Sequence, residues 1–339
     1  MIELRDDALE FSFPEVHPEA RLRVAFQRTL RIPDDDRDHP LPPGLGRFPL
    51  RHVDDAGERV PAEWLRRGGV MLPMYQSEAM WLNFTARSDY PFALKVAAGK
   101  VNAATGEAWV DGLHRGPQDY LVVPGQPWLD GYAVEKGVIR QFVAMPLGEG
   151  YTAEEQIFGT DEHGGVQLLA CPMKREVYER KVAGPARRFE DQMSAMNRVC
   201  APVQSSRSDM GLAPGGRMRQ EIYEDEWELE DWDQRRGSRC FVQLTNSLVW
   251  RAITGEEPPT TPPTAREYTK AGLPWFDYYA ADREALEGSE VLAKLRSVLE
   301  EGKRRGRSPL PENEPVDGER VVPIRERRRD RAGVREGSW

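Results

Sequence analysis

QPWLDGYAVEKGVIRQFVAMP, residues 126–146, sets Trp, Asp, Gly, Arg and Gln densely among apolar residues. It is rich in β-branched and aromatic residues, which favour strands. Two pairs in it, Asp130-Gly131 and Lys136-Gly137, suit tight hairpin turns because glycine adopts positive φ at no steric cost. Arg140 and Gln141 could line a pocket, but strand alternation puts only one of them on each face. The pattern favours a packed sheet over a reactive site.

The chain before this stretch also reads largely as sheet. IELRDDALEFSF (2–13) and ARLRVAFQRTLRI (20–32) alternate apolar with polar residues, as expected for strands with one buried face. MLPMYQSEAMWLNF (71–84) is too densely apolar for strict alternation and predicts a short buried helix, or a helix that leads into a strand.

Helical signals dominate later in the chain. Thr152 with Glu155 and Thr264 with Glu267 have the spacing of capping boxes. Leucines spaced for one helix face predict an amphipathic helix over 284–302. This order of strands and helices favours an α+β fold, with a β-rich body, short capped helices and a C-terminal amphipathic helix.

Three segments are predicted from these patterns: a β-rich N-terminal segment (1–62), an α+β core (63–302) and a basic tail (303–339) that we expect to be disordered. The net charge of −9 argues against nucleic-acid binding by the body, with the basic tail as a possible exception. The N-terminus lacks a secretory signal pattern, and the apolar run FVAMPL (142–147) is far shorter than the ~20 residues that span a bilayer. We therefore expect a soluble cytoplasmic protein without a membrane partner.

The cysteines indicate neither disulfides nor a structural zinc site. Cys171, Cys200 and Cys240 are odd in number and widely spaced, and no CxxC motif or Cys/His cluster accompanies them. No Walker motif or dinucleotide fingerprint is present. The sequence thus predicts no metal and no cofactor.

Four residues are the best candidates if the protein is an enzyme: Asp130, Glu135, Arg140 and His163. They would belong to a carboxylate-based hydrolase or transferase, and that hypothesis predicts a deep pocket where several of them converge. The alternative hypothesis, a protein without catalytic activity, predicts that they are scattered in turns. The sequence favours the second hypothesis and leaves the question open.

A second candidate is an anion site in LAPGGRMRQ (212–220). Free backbone N–H groups at Gly215 and Gly216, with the guanidinium groups of Arg217 and Arg219, could hold an anion. A sensor of anions or small molecules would use such a site. The plainer interpretation is a glycine turn that leads into a strand.

The third candidate is an interaction surface in EDEWELEDWD (224–233), which has seven acidic residues in ten. Glu224, Trp227 and Trp232 represent it, although such a run is commonly a solvated loop whose aromatic side chains pack on the body. A basic partner would complement it. The chain's own KRRGR (303–307) and RERRRDR (325–331) are candidates for that partner.

Four blocks together resemble an uncharacterised bacterial protein family: QDYLVVPGQPWLDG (118–131), IRQFVAMPLGEGYTAEEQIFG (139–159), MGLAPGGRMRQEIYED (210–225) and SLVWRAITGEEPPTTPPTAREYTKAGLPWFDYY (247–279). The similarity covers about residues 70–280. Bacterial members are sometimes labelled integral membrane proteins, whereas this sequence has no apolar segment of spanning length. Related fungal segments occur beside ubiquitin-like modules, which implies a protein-interaction or assembly role. The family carries no established reaction or site residues.

Together these patterns predict a non-enzymatic protein-interaction or self-assembling module whose partner is another protein or a second copy of the chain. The alternatives are the carboxylate-based enzyme and the sensor described above.

Overall fold

The computed structural model describes residues 1–35, 37–183, 209–277, 283–310 and 321–323. Cys200 and the basic stretch 325–331 therefore lie outside the described residues. Within the described residues the protein is rich in β-strand, with a large, mainly antiparallel sheet and several short helices.

The strands are, in chain order, β1 (Ile2–Arg5), β2 (Ala8–Ser12), β3 (Arg21–Thr29), β4 (Gly44–Arg47), β5 (Arg51–His52), β6 (Val70–Met74), β7 (Ala79–Ala86), β8 (Phe92–Ala98), β9 (Val101–Asn102), β10 (Leu121–Val123), β11 (Trp128–Leu129), β12 (Gly131–Glu135), β13 (Val138–Pro146), β14 (Val166–Pro172), β15 (Asp209–Arg219), β16 (Ser238–Asn246), β17 (Trp275–Asp277) and β18 (Val321–Pro323).

The α-helices are α1 (Ala62–Arg67), α2 (Ala153–Phe158), α3 (Arg175–Lys181), α4 (Ser247–Thr254), α5 (Ala265–Lys270), α6 (Glu290–Ala293) and α7 (Val298–Arg304). Short 3-10 helices occupy Asp54–Arg59, Arg87–Asp89, Leu229–Asp231 and Gln234–Arg236.

The central path of the large sheet runs β1-β2-β3-β7-β13-β15-β16-β14-β8-β10. This path has two halves, one from β1 to β15 and the other from β16 to β10. They join where β15 and β16 pair over only two positions, Asp209 with Thr245 and Met210 with Leu244. β6 pairs in parallel with β16, and β17 pairs in parallel with β18 in a separate two-stranded sheet.

One hydrophobic cluster takes side chains from both halves of the sheet. Phe26 of β3 and Leu82 of β7 belong to it, as do Leu94 of β8 and Leu168 of β14. The predicted boundary at residue 62 lies between β5 and β6, and strands on both sides of it pair in the same sheet. Helices pack in smaller hydrophobic clusters. One of these clusters contains Trp64 of α1 and Trp250 of α4.

The stretch 126–146 forms strands as predicted, with one hairpin where two were expected. β12 and β13 pair across Lys136-Gly137, where Gly137 has φ 74°. Asp130-Gly131 is not a hairpin turn, because β11 before it pairs with β7 while β12 after it pairs with β13. Gly131 is required for another reason. A Cβ there would lie 1.9 Å from the Arg140 carbonyl oxygen, so only glycine allows the two strands to approach this closely.

Two helix predictions differ from the structure. Residues 71–84 form β6 and β7, and their dense apolar pattern arises because nearly every position in them is buried. The range 284–302, predicted as one amphipathic helix, contains two shorter helices, α6 and α7. Ser289 and Ser297 cap their N-termini, so the chain starts a new helix at 298 and does not continue the first.

The capping boxes at Thr152–Glu155 and Thr264–Glu267 are confirmed, with both reciprocal hydrogen bonds present in α2 and α5. No helix among the described residues is long and apolar enough to cross a membrane.

Candidate functional site

The four predicted catalytic residues do not converge. Asp130 is buried, and its carboxylate accepts a hydrogen bond of 2.7 Å from Gln220 Nε2, while Gln220 Oε1 accepts from the Asp130 backbone N–H. Burial raises the pKa of Asp130 to about 7, against smaller opposing effects of the Gln220 and Trp128 hydrogen bonds. The adjacent cavity holds only about 10 Å³, which is room for about one water molecule.

Glu135 and Arg140 lie close to one another, together with part of the predicted anion site. Arg140 pairs with Arg217 across the β13–β15 ladder, and its guanidinium donates to the Gly215 carbonyl at 3.2 Å and lies 3.5 Å from the Asp34 carboxylate. Arg217 is held by Glu135, at 2.7 Å. Arg217 also donates to Asp38 at 2.8 Å. These guanidinium groups are therefore engaged by internal carboxylates.

The glycines of the predicted anion site lie inside β15 and not in a turn. A Cβ on Gly216 would lie 2.2 Å from the Pro33 carbonyl oxygen, and one on Gly215 would lie 2.5 Å from a methyl carbon of Val143. Arg219, at the end of the strand, lies 3.8 Å from the Asp277 carboxylate. The glycines thus allow two chain segments to pack tightly, and the anion site stays a prediction.

His163 lies apart from the other three, in a pair with Glu154. Its Nδ1 is 2.7 Å from Glu154 Oε1, and the Gly164 backbone N–H donates to the other carboxylate oxygen at 3.2 Å. Burial raises the pKa of Glu154, while the neighbouring His163 opposes that rise. The pair links α2, which contains Glu154, to the loop between α2 and β14, which contains His163.

The acidic segment 224–233 divides into buried and exposed residues. Trp232 is 2% exposed and donates its indole N–H to Asp225 at 2.9 Å, so it belongs to the core. Trp227 is half-buried against the main cluster, and the Lys181 ammonium lies 5.6 Å from its ring centre. Glu224 is exposed, and its side chain faces an open cleft that sequence reasoning missed.

This cleft, here called the acidic cleft, has a volume of about 500 Å³. Three chain segments that are distant in sequence line it. Its lining residues are Ala104, Thr105, Arg115, Pro117, Gln118, Glu224, Asp225, Leu286, Glu287, Gly288, Ser289 and Glu290. None of the four predicted catalytic residues is among them.

The first wall of the cleft is the loop 103–119, which a buried lysine holds in place. Lys95, 1% exposed, donates from Nζ to the carbonyls of Val110 and Gly112 and to Asp119 Oδ2 at 2.6 Å. A buried ammonium needs such a full set of acceptors, since an unpaired charge in the interior is costly. Asn102 adds a bond from Nδ2 to the Asp119 carbonyl at 2.7 Å. Together they anchor both ends of the loop.

The floor of the cleft is joined to that wall by side chains that leave little freedom of movement. Gln118 donates to the carbonyls of Tyr120 and Tyr223, and its Oε1 accepts from the Asp225 backbone N–H at 2.8 Å. The Asp225 carboxylate accepts from the Tyr120 hydroxyl at 2.6 Å and from Trp232. The floor is therefore preorganised, and binding there costs little ordering entropy.

The second wall is the segment 286–290, fixed by Gly288 and Ser289. Gly288 has φ 83°, and a Cβ there would lie 2.6 Å from backbone atoms of Glu135, so this position requires glycine. Ser289 donates from Oγ to the Thr105 carbonyl at 2.5 Å, which joins the two walls directly. The same hydroxyl caps α6.

The charge of the cleft is mainly negative. Three exposed acidic residues line it, Glu224, Glu287 and Glu290, against the single guanidinium of Arg115, while the Asp225 carboxylate is buried against Tyr120 and Trp232. Arg115 is engaged by the Trp227 and Asp225 carbonyls and by Glu228. The exposed lysine Lys136 reaches Glu287 at 2.6 Å. Several carboxylates that face one another around a concave surface attract a cationic ligand.

KRRGR (303–307), one of the two basic stretches proposed to bind the acidic segment 224–233, binds other carboxylates in the structure. Arg304 and Arg305 bind the buried carboxylate of Glu301, and Arg307 binds Glu149 at 2.7 Å. Burial by itself would raise the pKa of Glu301, but hydrogen bonds from three arginines lower it to about 2. Arg304 and Arg305 thus bind within α7 and its C-terminal turn, and Arg307 joins this end of the helix to the loop before α2 through Glu149.

Among the described residues no group of three His, Cys, Asp or Glu side chains is arranged to hold a metal ion. Cys171 and Cys240 are buried free thiols, and burial raises the pKa of each to about 12. The acidic cleft offers a ligand the exposed side chains of Glu224, Glu287 and Glu290.

Comparison with known proteins finds no family model that matches the sequence, no similar curated protein and no similar solved structure. The resemblance of residues 70–280 to a bacterial family stays a prediction.

Proposed function

We propose that the protein is a protein-interaction module that binds a Lys- or Arg-rich segment of a partner protein in the acidic cleft. The observation that carries this proposal is a cleft of about 500 Å³ lined by three exposed acidic residues, Glu224, Glu287 and Glu290. A fully extended peptide of a few residues fits such a volume, and its cationic side chains would meet Glu224, Glu287 and Glu290.

The rigidity of the cleft supports a binding role. Loop 103–119, the floor and segment 286–290 are held by internal hydrogen bonds from Lys95, Gln118 and Ser289, so the walls are in place before a ligand arrives. Rigid walls reduce the entropic cost of association. Exposed carboxylates at the rim would mainly increase the association rate and make binding sensitive to salt.

The direct test is the binding of a fluorescein-labelled octa-arginine peptide, followed by fluorescence anisotropy at two ionic strengths. We expect wild-type protein to bind the peptide, and the Glu224→Gln/Glu290→Gln variant to bind it about tenfold more weakly, because two lost charge pairs at up to ~1 kcal/mol each correspond to at most a roughly 30-fold loss. Glutamine keeps the shape of the side chain and removes only the charge.

The matched control is Glu58→Gln/Glu162→Gln, which removes the same charge from two exposed positions that do not line the cleft. It should bind the peptide like wild type. If both double variants lose affinity equally, the proposed function is wrong.

A further inference from the structure

We infer that the chain's own residues 325–331, RERRRDR, occupy the acidic cleft in cis and compete with the partner. This inference rests on the proposed function and adds a regulatory element to it. The stretch has five arginines and two acidic residues, and lies outside the described residues. Its excess positive charge complements a cleft lined by three exposed acidic residues and one guanidinium that is already engaged.

The two-stranded sheet places the end of β18 beside β17, the strand that precedes the second wall of the cleft in the chain. β17 and β18 are parallel, with Asp277 opposite Pro323, so the chain leaves both strands in the same direction. The chain that leaves β17 lines the cleft within about ten residues, at Leu286–Glu290. The end of β18 lies beside the end of β17, and the two strands run in the same direction.

The stretch follows closely after β18. Residues 324–331 follow Pro323 directly, and eight extended residues span up to ~26 Å. Along the neighbouring path, Arg283 stacks on the Tyr223 ring at 5.6 Å, and Ala285 pairs with Tyr223 beside the cleft floor. An arginine side chain, that of Arg283, is thus already packed on a residue next to the cleft floor.

The other basic stretch, 303–307, is not a candidate for this role, because its arginines are bound to Glu301 and Glu149. A tethered segment has a high effective concentration, in the millimolar range for short flexible links, so even weak contacts would compete with a partner in solution.

The test compares full-length wild type with full-length Arg327→Glu/Arg328→Glu/Arg329→Glu, using the same labelled octa-arginine peptide. If the chain's own arginines occupy the cleft, the triple variant binds the peptide at least fivefold more tightly than wild type. Adding Glu224→Gln/Glu290→Gln to the triple variant should abolish that gain. The control Arg66→Glu/Arg251→Glu/Lys270→Glu makes the same change of net charge at exposed positions on α1, α4 and α5, and we expect it to leave the affinity nearly unchanged.

The outcomes separate the two proposals. Equal peptide binding by wild type and the triple variant overturns the inference about residues 325–331 and leaves the proposed function standing. An equal gain in the control triple variant also overturns it, because the effect would then follow net charge alone. No binding by any of these proteins overturns the proposed function. A wild-type dimer in sedimentation velocity that the triple variant abolishes would place the stretch on a second copy, against occupancy in cis.

Discussion

Buried polar residues carry much of what distinguishes this protein. Asp130, Gln141 and Lys95 each sit in the interior with a full set of partners, which is the condition for burying a polar group at tolerable cost. Gln141, for example, accepts from the Ile32 N–H and donates to the Leu30 carbonyl. It thereby holds residues 30–32, which follow β3, against β13. Sequence reasoning placed Asp130 in a turn because Asp-Gly pairs occur there so often.

Asp130 gives a prediction about pH. Burial raises its pKa from the ordinary value of 3.8 to about 7, so the folded state binds this proton more tightly than the unfolded state does. The stabilising contribution is complete below about pH 4 and is lost as the pH rises towards 7. We expect wild type to lose up to about 4 kcal/mol of unfolding free energy, relative to Asp130→Asn, between pH 4 and pH 8.

Urea denaturation of both proteins at each pH measures this difference. Asparagine cannot ionise, so the variant lacks this contribution to the pH dependence. Parallel stability curves for the two proteins would show that Asp130 does not titrate in this range.

At the scale of single elements, local signals were sufficient for helix ends and insufficient for β6 and β7. A capping box involves residues three apart, so Thr152 and Glu155 predict the start of α2 wherever the helix lies. In contrast, the apolar density of 71–84 is compatible with a buried helix or with buried strands. Only the neighbours of the segment decide between them, namely β16 beside β6 and β3 beside β7.

The loop 103–119 gives a prediction at this scale. Lys95→Met removes the ammonium that binds Val110, Gly112 and Asp119 and leaves the Asp119 carboxylate in a buried position without its main cation. We expect a loss of about 3–5 kcal/mol in unfolding free energy and faster amide exchange in 110–119. Chemical denaturation and hydrogen exchange measure the two effects.

Lys100→Met is the control, since it makes the same substitution at an exposed position close by. It should change the stability by less than about 0.5 kcal/mol. The double variant Lys95→Met/Asp119→Asn should be more stable than Lys95→Met alone, because the unpaired charge is gone. Additive effects of the two substitutions would contradict the role of Lys95 as an anchor.

At the scale of the whole molecule, the main hydrophobic cluster joins residues from the predicted N-terminal segment and from the predicted core. Phe26 and Leu168 are both fully buried in it. A shared core couples the unfolding of its parts, whereas separate cores would allow separate transitions.

We therefore expect Phe26→Ala and Leu168→Ala each to cost about 2–5 kcal/mol and to lower the midpoint of the same unfolding transition. Circular dichroism in the far and near ultraviolet should report coincident transitions for both variants. Phe158→Ala, at a position 38% exposed, is the control and should have a small effect. Two separated transitions, only one of them sensitive to Phe26→Ala, would instead support an independent unit at 1–62.

The candidate site shows why prediction from the sequence stopped where it did. Glu224 was proposed as part of an interaction surface from the acidic run around it, and it does line the acidic cleft. Thr105, Arg115 and Ser289, which complete the cleft, carry no local signal of their own. They come together because Ser289 bonds to Thr105 across 184 residues of chain.

The sequence by itself determined the features that depend on near neighbours: the strand character of 126–146, the Lys136-Gly137 turn and the capped helices α2 and α5. These follow from side-chain period, backbone conformation and hydrogen bonds within a few residues. The tertiary structure alone decided which strands pair, why Gly131 and Gly288 must be glycines, and where a concave acidic surface forms. Those features depend on contacts between segments far apart in the chain, and the packing of the whole core sets such contacts.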